Sequence, residues 1–262
     1  MKSSTAKKKS SGGIYETLKT IVYAILIALV VRTVAYEPFN IPSGSMIPTL
    51  LVGDFLFVSK FSYGYSRYSL PFGLPLFSGR IFAFRQPQRG DVMVFWNPLA
   101  QPAPADFIKR IVGLPGDKVQ LIRGNLFING QMVPRRQIED YVYQDGGRVI
   151  LMHQYIESLP RGPGEPPLDH PIIKITDDGG LNDVGPYEVP QGYYFAMGDN
   201  RDNSEDSRVM SAVGFIPAEN LVGPAQFLFY STELATDPNG HWWEFWKWPF
   251  TIRYGRLLHG VH

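Results

Sequence analysis

Cysteine is absent from the 262 residues, which excludes disulfides, thiolate nucleophiles, Cys-ligated zinc and iron–sulfur clusters. An excess of one charge is lacking as well. With 25 Lys and Arg against 24 Asp and Glu, the net charge is +1, too small for a nucleic-acid-binding field or an acidic disordered tail. Histidine is scarce: His153, His170, His241, His259 and His262 all lie far down the chain, none in a turn with an acidic partner motif. No internal repeat occurs, and only one long hydrophobic run. The 26 Gly and 22 Pro exceed the usual shares and aromatics reach 14%, so many turns and many aromatics predict a mostly β body with no long helix beyond the N-terminus.

The hydrophobic run starts at Ile21, after a tail carrying Lys2, Lys7, Lys8 and Lys9, and continues past Arg32 to Tyr36. Thr20 to Tyr36 meets the lower limit for a membrane-spanning helix, which Ile14, Tyr15 and Leu18 can extend, with Lys19 and Arg32 reaching the two interfaces. A cleavable signal peptide is the competing reading, but Arg32 and Thr33 make a poor cut site before Ala35. A buried core helix is a third, although nothing nearby would pair with the lysines. An uncleaved anchor fits best. The lysine bias places residues 1–19 in the cytoplasm and the body on the far side.

After residue 36 the chain reads as short strands between turns. Asp54–Val58, Asp91–Trp96, Phe107–Val112, Pro171–Ile175 and Tyr193–Met197 are strand candidates. Gly124-Asn125 and Asn129-Gly130 turn hairpins around Val119–Ile122 and Leu126–Ile128. Residues 62–80 and 160–167 are expected to be loops, the second exposed.

Three segments carry candidate chemistry. Asn40 to Leu50 reads NIPSGSMIPTL, a polar turn just outside the anchor in which one hydroxyl and nearby backbone N–H groups can converge. That is what a nucleophile and an oxyanion hole require, although a plain turn has the same composition. Body lysines are few (Lys60, Lys109, Lys118, Lys174, Lys247), and Lys109 would share a strand face with Phe107 and Ile111. Burial there lowers a lysine pKa and makes a general base; an exposed edge lysine is the alternative. The third, Met197 to Phe215, is dense in Asp, Asn, Ser and Arg. Arg201 and Arg208 oppose a calcium loop, so a hydrogen-bonded scaffold beside a site reads better.

Together the segments PSGSMIPTL (42–50), RGDVMVFWNP (89–98), KRIVGLPGD (109–117) and GDNRDNSEDSR (198–208) resemble the bacterial type I signal peptidases, or leader peptidases, in motif and order. The resemblance covers residues 20 to 230. It implies Ser45 as nucleophile and Lys109 as general base. Ser43 and the Ser45 N–H would form the oxyanion hole, Ser204 would orient the Lys109 amine, Asp206 and Arg208 would hold the loop, and Asp199 with Arg110 would form a second ion pair. It also implies an antiparallel β catalytic core, here 37–118 with 190–262, and a β-rich inserted subdomain at 119–189, following one membrane helix at 20–36. No cofactor or metal is expected. The implied partners are exported preproteins with small residues at −1 and −3 and the lipid bilayer, not nucleic acid, and the implied state is a monomer in the bacterial inner membrane.

The preprotein is expected to bind as an extended strand between Phe39–Ser43 (Phe39, Asn40, Ile41, Pro42) and Asp106–Lys109 (Asp106, Phe107, Ile108). Some relatives carry two anchors and larger insertions than this chain. A self-cleaving Ser/Lys repressor would need a DNA-binding domain before the serine. The S-x-x-K at Ser4–Lys7 lacks the partner motifs of penicillin-binding enzymes. A membrane-tethered binding module without protease activity stays open at this stage. The aromatic run HWWEFWKWPF (241–250) suits either packing on the core or the membrane interface.

Overall fold

An unbroken apolar stretch with good helix formers gives the first element of the computed structural model. The structure describes residues 13–70, 79–145, 148–236, 243–244 and 246–261, with only the backbone of 144, 145 and 148. Helix α1 spans Gly13–Val34, so it begins seven residues before the expected start and takes Lys19 into the helix. At 22 residues it is about 33 Å long, enough to cross a bilayer's hydrocarbon core. Thr17, Thr20 and Thr33 turn their hydroxyls back onto the carbonyls four residues earlier, which satisfies those polar groups within the helix itself. None of its side chains is buried against the body. The basic tail before Gly13 lies outside the described residues.

The helix end is tied to the body. The Tyr65 hydroxyl donates to the Val34 carbonyl and the Lys60 N–H donates to that of Ala35 at 3.0 Å. The Lys60 ammonium, itself buried, meets Glu37 at 2.8 Å.

The body is mostly β and antiparallel. Strands β1 (Tyr36–Asn40), β2 (Asp54–Ser59), β3 (Val92–Asn97), β4 (Ala105–Gly113), β13 (Tyr193–Met197), β14 (Ile216–Pro217) and β15 (Leu221–Ser231) build one seven-stranded sheet. Its order is β1-β2-β15-β3-β4-β13-β14. Between β4 and β13 the chain makes two four-stranded sheets. β5 (Lys118–Ile122), β6 (Asn125–Ile128), β7 (Gln131–Met132) and β12 (Val184–Glu188) form one. β8 (Arg135–Gln137), β9 (Tyr141–Asp145), β10 (Arg148–Leu159) and β11 (Leu168–Lys174) form the other. Alternation with period 2 sorts β3 between two cores. Val92 and Val94 join Ile41, Leu56, Val58 and Ile108, while Met93 and Phe95 join Ile111, Tyr194 and Leu221.

Two features of the large sheet prepare the site. Each neighbouring pair along β1-β2-β15-β3-β4 is antiparallel, so four reversals leave β1 and β4 running in the same direction. Strand β13 pairs only with Arg110, Ile111 and Gly113 of β4. The 105–109 half of β4 and the outer side of β1 are therefore free edges.

Strands β8, β9, β10, β12 and β15 were not expected from sequence, nor was β1. Residues 62–70, expected as loop, include a 3₁₀ turn at Arg67–Ser69, and 71–78 lie outside the described residues. Of the aromatic run, Trp243, Trp246, Trp248 and Phe250 are exposed, so these four do not pack into the core; His241, Trp242 and Phe245 lie outside the described residues.

Candidate active site

Ser45 lies in a 3₁₀ turn, Gly44–Met46, directly after extended Ser43. Such a turn spends few of its own N–H groups on internal bonds, which leaves the backbone around Ser45 able to face a ligand. Asn200 holds the turn from behind: its N–H donates to the Ser45 carbonyl at 3.0 Å and its side-chain amide to that of Gly44 at 3.1 Å. The Ser43 hydroxyl stands 3.4 Å from the Ser45 hydroxyl.

Lys109 comes from the half of β4 that pairs with β3 alone. Its Nζ lies 2.7 Å from Ser45 Oγ and above the Phe107 ring, 5.4 Å from its centre. The side chain is buried, and burial is the main cause that lowers its pKa to about 8. Asp206, Glu205 and Asp199 oppose that shift, and Arg208 adds to it.

The 198–208 loop passes beneath both groups. Arg208 grips the Asp206 carboxylate through two nitrogens at 2.8 Å, and the Gly198 N–H donates to the same carboxylate at 3.0 Å. The packing is close: a Cβ on Gly198 would lie 2.3 Å from Ser204 Oγ and 2.5 Å from the Ser45 carbonyl oxygen. Next to the dyad lysine, Arg110 makes a two-pronged pair with Asp199 at 2.7 and 2.8 Å, wholly buried. Arg110 also donates to the Gly90 carbonyl at 2.8 Å. It is the Arg110 charge that holds the Asp199 carboxyl far below the ordinary range, against the effect of burial.

Ser204 is buried on the same loop, while the Lys109 amine donates to Ser45. Among the described residues the Ser204 hydroxyl reaches no partner at hydrogen-bonding geometry.

The two free edges enclose a cleft of about 460 Å³ that ends at Ser45 and Lys109. Phe39, Asn40, Ile41, Pro42, Asp106, Phe107 and Ile108 all line it, so every expected substrate-contact residue falls on its walls. Ile41 and Ile108 are nearly closed off from solvent and pack together in one core. A hydroxyl against a buried amine, in a cleft between two free strand edges, is an arrangement able to activate a serine nucleophile.

Residues 14–230 match the family model described as signal peptidase, peptidase S26. The chain belongs to that signal peptidase family. Similar curated proteins include the signal peptidase I of Rickettsia typhi, 41% identical over 239 residues that cover 90% of this chain and 85% of the relative. That of Rickettsia canadensis is 40% identical over 229 residues, 86% of this chain and 81% of the relative. A crystal structure of a signal peptidase I from Enterococcus faecalis is 25% identical and covers 54% of this chain and 98% of its own, with a TM-score of 0.31. Membership makes the chain a serine peptidase, a hydrolase, and the apolar helix α1 fits a membrane anchor for such an enzyme.

Several residues around this peptidase site had no individual role in the sequence reading. Asn200 and Thr49 sit inside motifs already singled out, but only the fold shows Asn200 bracing the serine turn and the Thr49 hydroxyl donating to Asp199. His170 and Glu157 carry no local signal at all. They come from β11 and β10, where Arg201 donates to both Glu157 oxygens, at 2.8 and 2.5 Å, and His170 Nε2 lies 3.3 Å from one of them. His170 Nδ1 lies 3.4 Å from Asp199. So one histidine does have acidic neighbours, supplied by distant strands rather than by its own turn.

Proposed function

We propose that the chain is a membrane-anchored endopeptidase that removes signal peptides from exported preproteins, with Ser45 as nucleophile and neutral Lys109 as general base. The observation that carries the reading is the 2.7 Å approach of Ser45 Oγ to a lysine amine buried deeply enough to lose its proton near pH 8. The neutral amine takes the Ser45 proton as Oγ attacks the scissile carbonyl carbon, and the C–O bond forms while the carbonyl π pair moves to oxygen. The Ser45 N–H and the Ser43 hydroxyl face that oxyanion. When the C–N bond breaks, the Lys109 ammonium gives its proton to the departing amine, the new N-terminus of the mature protein. Water then attacks the ester with Lys109 again as base, releasing the signal peptide and restoring Ser45.

The cleft between β1 and β4 suits a preprotein segment added as a strand, running parallel to both walls towards Ser45. Ile41 and Ile108 leave shallow pockets, which supports a requirement for small residues at −1 and −3. In this reading the anchor lies in the inner membrane with residues 1–19 cytoplasmic and the cleft on the extracytoplasmic side, 119–189 is the inserted subdomain and the enzyme is a monomer. Incubating the detergent-solubilised chain with a labelled preprotein and sequencing the new N-terminus tests this. A single cut after a small residue, absent with Ser45→Ala, is expected; no cut, or a cut that survives Ser45→Ala, would overturn it.

A further inference from the structure

The cleft that ends at Ser45 is open at its other end. Phe39 and Asp106 line it, and both also line a second cleft of about 680 Å³ that continues to Leu29 and Arg32 of α1. The two spaces therefore adjoin at Phe39 and Asp106, between Ser45 and the membrane helix. Apolar wall comes from Leu29 and charge from Arg32, Glu37, Lys60 and Arg67.

Most of that charge is already engaged. Glu37 is held by Arg32 at 3.1 Å and by Lys60 at 2.8 Å. Arg67 lies over the Tyr68 ring at 4.5 Å, and that ring stacks on Trp96. Among the described residues Asp106 takes part in no ion pair. It is also the one ionic side chain that lines both clefts at their junction, short of Arg32 and Arg67, so a peptide leaving the catalytic cleft meets the carboxylate first.

We propose that the second cleft takes the part of the signal peptide that lies N-terminal to −3, and that Asp106 selects a basic over an acidic side chain at −5. This rests on the reading of the Ser45–Lys109 cleft as the peptide site. Direction follows from the anchor: the apolar part of a signal peptide lies in the membrane, so its N-terminal side must leave towards α1. Position follows from the repeat of extended chain. Ile108 serves the −1 and −3 pockets, and Asp106 lies two residues farther back on β4 and on the same side as Ile108. Two residues of strand advance about 6.6 Å, the spacing of alternate side chains in the bound peptide, which puts Asp106 between −3 and −5. The −3 side chain is small and cannot reach it; the −5 side chain can.

The charge state of Asp106 gives the selection a pH signature. Asp106 is exposed at the cleft surface, yet partial desolvation by the walls pushes its pKa up to about 6, Glu37 adds to the shift, and Lys60 opposes it. Because the pKa is raised, the carboxylate is present above about pH 6 and disappears as pH falls through it.

Two preprotein peptides identical except for Lys or Glu at −5 are competed for the full-length chain in detergent, and the ratio of their kcat/KM values is read with the new N-termini identified. Taking a ratio cancels the protonation of Lys109, which slows both peptides alike. An exposed ion pair gained in one peptide and a like-charge contact in the other predict about a fivefold preference for Lys near pH 8. That preference should decline towards one near pH 5.5, where a peptide glutamate is still charged. It should be close to one at every pH with Asp106→Asn. Equal rates with the wild-type chain, cut at the same bond, would overturn the −5 assignment and leave the peptidase reading standing, as would a preference that survives Asp106→Asn. Failure to cut either peptide would strike the reading itself, and the proposal with it.

Discussion

At the scale of single residues the site separates a proton-moving pair from its supports. If Ser45 and Lys109 act as the proposed unit, Ser45→Ala, Lys109→Ala and the double mutant are expected to lose similar activity in single-turnover assays. A double mutant far slower than either single one would mean that the two act independently. Lys109→Arg keeps the reach but replaces the base with a group that stays charged, and wild-type-like turnover there would exclude the lysine base. Ser43→Ala should cost about 10²–10³ in kcat as one lost oxyanion donor, with KM little changed. The rate should also follow Lys109 deprotonation. Its lowered pKa of about 8 makes kcat/KM fall as pH drops below 8, and replacing the five histidines should leave that limb in place. A limb near pH 6.5 that moved with one histidine would point to a different base.

At the scale of elements, the proposed specificity rests on a sheet left unfinished. Strand β13 stops pairing at Arg110, so the 105–109 half of β4 keeps one edge free of a neighbouring strand. Ile41→Ala and Ile108→Ala each widen a pocket on that edge, and libraries varied at −1 and −3 should then show cuts after Val- or Leu-sized residues. Unchanged cleavage-site choice in both would place the pockets elsewhere. Sequence made this element partly legible. Strands β2, β3, β4 and β13 stood out because β-branched and aromatic residues run between Gly, Pro and Asn, and Lys109 stood out as a charge inside an apolar run. Strand β1 did not, because Pro38 and Asn40 suit a loop and only its pairing with β2 makes it extended. The direction of the Ser204 side chain is likewise not encoded in a motif. Glu157 and His170 could not be tied to the site, since their partners Arg201 and Asp199 lie more than 25 residues away and meet them only through the fold.

Those last contacts act at the scale of the whole molecule. Arg110, Asp199, His170, Glu157 and Arg201 form a buried polar line that joins β4, the 198–208 loop and the β10–β11 sheet. The backbone makes the same connection, since Ile173 of β11 exchanges hydrogen bonds with Asp199 and Arg201 at 2.9 and 3.0 Å. The β10–β11 sheet is thus a brace for the catalytic loop, and its ion pairs set how the fold answers acid. Arg201 and His170 hold Glu157 at about 2 against the opposing effect of burial, and Arg110 depresses Asp199 further. A carboxyl whose folded pKa lies below its unfolded value adds stability above the unfolded pKa, about 4, and that stability is lost as pH falls from there towards the folded value. Glu157→Gln leaves Arg201 without its carboxylate in a dry site, which should cost about 3–5 kcal/mol near neutral pH. Thermal unfolding of both proteins in detergent, followed across pH 7 to about 2.5, checks the assignment. The wild-type melting point should stand well above that of the mutant at neutral pH and approach it below pH 4, because only the wild type loses the charge at 157. A gap that stayed constant down the whole range would mean that Glu157 contributes shape and packing but no ionic hold on the catalytic loop.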